Sequence, residues 1–194
     1  MSHRGLRRRT WRSAAPASIG VRGMNQAQSN FLKIIAPAAM TSSIATGVPA
    51  SVTIAQAIQE SSNKQGWGQS TLARVANNYF GIKATQLSNP NTYIELPTHE
   101  FRDGVEDVEL AKFARYPSPA ASFIAHAKLL STAGRYLPAM KERNDPAAFA
   151  SQLQACGYST SPDYAIALIK LINEYDLRQY DAQPIKPPAA PAKA

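Results

Sequence analysis

At 194 residues the chain suits one compact domain with tails and leaves little room for two. Its hydrophobic share (44%) and charged share (18%) are those of a globular protein, and no apolar run approaches the roughly 18 to 20 residues of a membrane-spanning helix. The lone cysteine, Cys156, excludes an internal disulfide and a cysteine-cluster metal site, and the net charge of +8 raises the question of nucleic acid.

The distribution of that charge answers the question. Arg4, Arg7, Arg8, Arg9, Arg12 and Arg22 crowd the first residues, and Lys186 and Lys193 lie near the end. Between Met24 and Asp181 the acidic and basic residues balance, so the excess sits at the two ends and no basic groove for nucleic acid is expected. Residues 1–24, rich in Arg, Ser, Ala and Gly, read as a basic disordered arm that can tether electrostatically to anionic envelope polymers or lipids. Pro16 and Gly20 interrupt its apolar part, so it makes no recognisable signal peptide; a natural start at Met24 is the other reading. Residues 182–194, rich in Pro and Ala, read as an extended tail, leaving 25–181 as the domain.

Helical signals dominate that domain. Phe31, Ile34, Ile35 and Ala38 recur at helical spacing, with Pro37 expected to kink or restart the helix. Pro49 opens the apolar run PASVTIAQAIQES. From Phe80 to Tyr116, Gly81, Pro90, Pro97 and Gly104 punctuate short β-prone pieces at Thr92–Leu96 and His99–Phe101, which predicts a small β-hairpin lobe. Beyond Pro119, Ala120, Phe123, Ile124, Ala127 and Leu130 mark another helix. Asp145-Pro146 starts a helix that Gly157 closes, with Cys156 as a buried, inert thiol beside it. Ser161-Pro162-Asp163 repeats the start signal before Tyr164, Leu168, Leu171, Ile172 and Tyr175. The fold class expected is α+β and mostly helical, with a ligand cleft where the hairpin lobe meets the helices.

One acidic residue precedes Glu95 in the whole chain, and it is Glu60, at the end of the otherwise apolar segment AQAIQES. An ordinary surface glutamate usually has charged neighbours on its helix. A carboxyl group held against apolar surface instead resists ionisation and can donate a proton near neutral pH. The histidines His3, His99 and His126 have no metal-ligand spacing, and no Gly-rich phosphate loop or nucleophile elbow is present, so no metal or cofactor is expected.

The strings AQAIQES, GWGQSTLA, NNYFGIK, THEFRDG, the Phe113/Tyr116 pair and GYSTSPDY follow one another in order from Phe31 to Tyr175. In this the chain resembles the bacterial N-acetylglucosaminidases of glycoside hydrolase family 73, which include autolysins and flagellar rod hydrolases. The resemblance implies a lysozyme-like fold and hydrolysis of the β-1,4 bond between N-acetylglucosamine and N-acetylmuramic acid. It places Glu60 on the family's general acid and Glu100 on the second carboxylate of the hairpin lobe. Asn77, Asn78, Tyr79 and Phe80 match the stretch lining the cleft floor, with Phe80 also suited to core packing, and Tyr158 matches a tyrosine facing the substrate near the acid. Trp67 is a further candidate for sugar contact. Glu95, Asp103, Glu106, Asp107 and Glu109 stand close enough in sequence to compete for the second role. Inverting, retaining and substrate-assisted chemistry all stay open.

The sequence departs from the family pattern in two places. Ser62, Asn63, Lys64 and Gln65 separate the glutamate-serine pair from GWG, either lengthening the helix by a turn or forming a loop beside Glu60. Ser161 replaces an aspartate before the proline, and serine also caps helices. The expected partner is the peptidoglycan glycan strand, met by a monomer at the bacterial wall or periplasm, in a stand-alone hydrolase, a phage lysin or a secreted effector. The rival readings are a lytic transglycosylase, whose Gly-Leu-Met-Gln segment is missing here, and a weakly catalytic peptidoglycan-binding module of a phage tail or flagellar assembly.

Overall fold

A computed structural model describes residues 23–84, 92–102 and 105–181, without the side chains of 99–102 and 105–108. The basic arm, apart from Gly23 and Met24, the Pro/Ala-rich tail, the Asp103 position and the side chains of Glu100, Glu106 and Asp107 therefore lie outside the described residues.

The elements run α1 (Gln26–Thr46), α2 (Ala50–Ser61), α3 (Thr71–Ala76), β1 (Tyr93–Arg102), β2 (Val105–Ala114), α4 (Pro119–Thr132), α5 (Leu137–Lys141), α6 (Pro146–Ala155) and α7 (Tyr164–Glu174). Short 3-10 turns at Gly134–Tyr136 and Leu177–Tyr180 complete the set. The expectation of a mostly helical domain carrying one antiparallel hairpin agrees with this order. Among the described residues no helix is long and apolar enough to cross a membrane.

The core is organised around α2. Every side chain from Ala50 to Ile58 is buried, polar ones included, because α1, α6, α7 and the Leu177–Tyr180 turn pack around it. Each fully buried isoleucine here, Ile54 and Ile58, contributes on the order of 1.5 to 3 kcal/mol. Its N-terminal residue, Pro49, has no side chain with which to cap the helix. Asp181 supplies that function from the far end of the domain, accepting from the Ser51 N–H at 2.8 Å. At the other end Ser61 and Ser62 turn their hydroxyls back onto the carbonyls of Ala57 and Ile58 and close the last turn.

The first helix passes through Pro37 as one 21-residue element, so the helix does not restart there. Its buried face (Phe31, Ile35, Ala38, Ala39 and Ser42) packs along α4, and that burial outweighs one missing backbone donor. Asn25 and Gln28 close a reciprocal capping box at its start.

Each strand of the hairpin is ten residues long, longer than the β-prone pieces suggested, and the register runs from Tyr93↔Ala114 to Arg102↔Val105. Pro97 is accommodated because a two-stranded sheet consists only of edges. Ser161 differs from its expected capping role as well. Asp163 is the N-cap of α7 without a side-chain bond, and the side chain of Gln154 on α6 accepts from the Ala165 N–H at 2.7 Å. The two short helices α3 and α5 have no counterpart in the periodicity, since each is only five or six residues long.

The root of the hairpin hangs on two asparagines. Asn78 is buried and uses its whole amide: Nδ2 donates to the carbonyls of Ile82 and Ala114, each at 2.9 Å, and Oδ1 accepts from Ile82 N at 3.1 Å and Phe80 N at 3.4 Å. Asn77, in the left-handed region at φ 49°, donates from Nδ2 to the Tyr116 carbonyl at 3.0 Å. These bonds fasten both ends of the hairpin segment to the end of α3. Asn78→Ala removes all four side-chain hydrogen bonds at the hairpin root and is expected to cost about 2 to 3 kcal/mol in urea denaturation. Asn78→Asp costs more, because a carboxylate cannot donate to either carbonyl.

Candidate active site

Glu60 is the first exposed residue of α2 after the buried run that ends at Ile58, with Gln59 half-buried between them. One side of it is open to solvent, yet the protein packed behind it still disfavours the anion, and desolvation raises its pKa above 4.5. Its place in the final turn of α2, where the helix dipole presents negative charge, acts in the same direction. No basic residue occupies that turn to offset either effect.

The four residues that follow form a loop and do not extend the helix. Asn63 and Gly66 exchange two backbone hydrogen bonds, at 3.1 and 3.0 Å, around Lys64 and Gln65. The Asn63 side chain braces the turn from within, accepting from Gln65 N at 2.9 Å and donating to the Gln69 carbonyl at 2.7 Å. Ser70 N then bonds Ser61 O at 2.8 Å, returning the chain to the end of α2. The detour is thus closed on itself beside Glu60.

Two tyrosines stand in electrostatic contact with Glu60: its charge raises the pKa values of Tyr158 and Tyr164, which burial already pushes up. Tyr158 is held by the end of α6. Gly157 adopts φ 73°, which lets Tyr158 N reach Leu153 O at 3.0 Å and Gly157 N reach Gln154 O at 2.9 Å, a Schellman closure. The Arg135 guanidinium locks this turn, donating to the carbonyls of Cys156 (2.9 and 3.2 Å) and Gly157 (2.5 Å). Cys156 itself is only half-buried, more open than its helix-end position suggested. Tyr164 opens α7, stacks on Tyr158 with ring centres 5.4 Å apart, and accepts from the buried Gln56 amide at 2.9 Å.

Behind Tyr158 lies His126, fully buried on α4. Its Nε2 is 3.0 Å from the Tyr158 hydroxyl, and its ring stacks on Phe80 at 3.8 Å with a 5° interplanar angle. Burial pushes its pKa down to about 3, so the imidazole is neutral. Glu60, Tyr158, Tyr164, His126 and Phe80 therefore form one connected group, although they come from α2, α4, α7 and two loops. In the sequence His126 shows no metal-ligand spacing and Tyr164 reads as a helical position at the end of the GYSTSPDY string, and neither reads as a member of a group with Glu60. A signal for His126 was present: it falls on the face of α4 set by Phe123 and Leu130, where a polar ring needs a partner.

The other candidate residues are placed differently. Tyr79 is buried against Phe31 (6.1 Å) and Phe123 (5.8 Å). The Trp67 ring lies edge-on to Tyr175 at 4.7 Å and to Phe31 at 6.2 Å. This placement depends on Gly68 at φ 68°, where a Cβ would meet Phe31 Cδ2 at 2.6 Å. Asn77 and Asn78 spend their amides on the hairpin root. On the hairpin, Glu95 pairs with Lys112 at 3.8 Å, and the Lys112 ammonium sits 4.6 Å from the Tyr93 ring centre. Glu100 pairs in register with Asp107 along the backbone. Two apolar hollows on α1, of about 410 and 390 Å³, are lined by residues such as Leu32, Met40 and Ile34, and neither includes Glu60, Tyr158 or Tyr164.

Comparison with known proteins gives one consistent result. The family model described as mannosyl-glycoprotein endo-beta-N-acetylglucosaminidase, of the glucosaminidase family, matches residues 36–177. The exo-glucosaminidase LytG of Bacillus subtilis is 37% identical over 136 residues, covering 68% of this chain and 45% of LytG. The catalytic domain of the autolysin Auto from Listeria monocytogenes superposes with a TM-score of 0.71 at 32% identity, covering 82% of this chain and 90% of that domain. A C-terminally truncated glycoside hydrolase domain of Salmonella typhimurium FlgJ gives 0.62 at 31% identity, covering 76% and 96%. The chain spans less than half the length of the curated relatives it matches. With the family model covering most of the domain and solved glycoside hydrolase domains sharing its fold, the chain belongs to the glucosaminidase family of glycoside hydrolases.

Proposed function

We propose that the protein hydrolyses peptidoglycan at the bacterial cell wall, cutting the β-1,4 bond after N-acetylglucosamine, with Glu60 as the general acid. The observation that carries this reading is the environment of Glu60: an isolated carboxyl group at the open end of a buried helix, with its pKa raised by desolvation and no cation in its helical turn. Such a group retains its proton to higher pH than a free glutamate. It can then pass that proton to the glycosidic oxygen as the bond to the anomeric carbon breaks.

Glu100 is the second carboxylate in this reading, carried by a hairpin whose root is fixed by Asn77 and Asn78. It activates water or stabilises the positive charge that develops on the sugar. Glu95 is a weaker candidate because it is already paired with Lys112. Tyr158 and the half-buried Trp67 ring supply polar and flat surfaces for amino sugars, while Tyr79 and Phe80 support them from the core. Residues 25–181 are the catalytic unit and act as a monomer.

Digestion of purified peptidoglycan, followed by mass spectrometry of the new chain ends, tests the proposal. Wild type is expected to release reducing N-acetylglucosamine ends. Glu60→Gln is expected to lower the rate by about 10² to 10⁴-fold, and Glu100→Gln by a smaller factor. Ends carrying a 1,6-anhydro ring, reducing N-acetylmuramic acid, or a Glu60→Gln variant within threefold of wild type would each overturn it.

The titration of Glu60 predicts the pH profile. The acid works only while protonated, so kcat/KM falls as pH rises through a pKa that lies above 4.5. In Glu60→Gln that limb disappears from the residual activity. The sign for stability is the reverse of an ion pair's. Because the folded pKa is raised, Glu60 favours folding at low pH and loses that contribution as pH rises through the folded value. Glu60→Gln is therefore expected to melt no lower than wild type at pH 7, which separates lost chemistry from lost fold.

A further inference from the structure

We propose that His126 is a positioning residue for this reaction, holding the Tyr158 hydroxyl through Nε2–H so that the phenolic proton stays free to be donated. The inference rests on the function proposed above and adds a residue to it. It follows from counting donors and acceptors along one chain of side chains.

A neutral imidazole carries one N–H, and its two nitrogens here have different surroundings. His126 Nδ1 has no hydrogen-bond partner among the described residues, whereas Nε2 lies 3.0 Å from the Tyr158 oxygen. A proton on Nδ1 would bury an N–H with no acceptor, which is the rarer and costlier defect. A proton on Nε2 is used at once. The Nε2–H tautomer is therefore the stable one, and full burial of the ring keeps it neutral. The parallel stack on Phe80 fixes the plane in which that N–H points.

The Tyr164 ring stacks on Tyr158, and its oxygen is engaged by the Gln56 amide at 2.9 Å. The Tyr158 oxygen accepts from His126 Nε2–H, so its own proton is not used in that bond. It stays available as a donor, on a ring whose titration the charge of Glu60 reaches. A donor fixed in this way suits an oxygen that gains negative charge as the proton of Glu60 departs, and it needs no reorientation during the reaction.

Two measurements test this. In a long-range proton–nitrogen correlation spectrum of the wild-type protein, Nε2 of His126 is expected to be the protonated ring nitrogen; a spectrum showing the proton on Nδ1 overturns the proposal without any variant. Kinetics supply the second arm. His126→Phe keeps a ring on Phe80 but removes the donor, and it is expected to lower kcat about tenfold with KM within twofold. His126→Gln returns an N–H near the same point and should recover kcat to within about threefold of wild type. On a Tyr158→Phe background, His126→Phe should cost nothing more, because the hydroxyl it positions is gone. Equal losses on both backgrounds, or a His126→Phe variant as active as wild type, overturn the proposal. An active Glu60→Gln variant would instead remove the underlying reading, so the two failures are distinguishable.

Discussion

Nine consecutive residues of α2, Ala50 to Ile58, are withdrawn from water, and the chain must then return to the surface within one turn. That transition is the constraint on which the rest depends. A helix buried on all sides is held by the whole domain, and its axis cannot tilt without disturbing α1, α6 and α7 together. The side chain at its exit inherits that rigidity. Glu60 is placed there with packed protein on one side and solvent on the other, the setting on which its proposed role as proton donor rests. Asp181, capping the opposite end, ties the last turn of the domain to the same axis.

Around that exit the protein builds support from aromatic rings. Trp67, Phe31, Tyr79, Phe123, Phe80, His126, Tyr158 and Tyr164 form a continuous series of ring contacts from α1 to α7. Most of these rings are core, and their contribution to chemistry is to hold the few that are not. Phe80 shows the division of labour: it belongs to the stretch matched to the cleft floor, yet its face is spent on His126, which in turn holds Tyr158. The asparagines before it work similarly. They fasten the root of the hairpin to the end of α3.

How much of this was legible in the sequence depended on the range of the interaction. The long helices and their starts could be read because Pro119, Asp145-Pro146 and the apolar spacing are local signals. Pro37 misled because the cost of a missing donor is local, whereas the packing of α1 on α4 that overrides it is not. The cap of α7 could not be read at all, since Gln154 reaches it from another helix. Glu60 stood out because no other acid precedes Glu95, a property of composition alone. The Ser62–Gln65 insertion left two outcomes open, and the choice fell to the Asn63 side chain, which closes a turn on Gly66. His126 and Tyr164 escaped notice because their significance lies in partners 32 and 108 residues away.

The central claim concerns one carboxyl group, and it can be measured without substrate. Carbon-detected NMR titration of the Glu60 side chain, with the resonance assigned by comparison with Glu60→Gln, reports its ionisation directly. The account predicts a midpoint above the ordinary glutamate value of 4.5. A midpoint at or below 4.5 would mean that the site does not disfavour the anion, which contradicts the proposed role of Glu60 as proton donor.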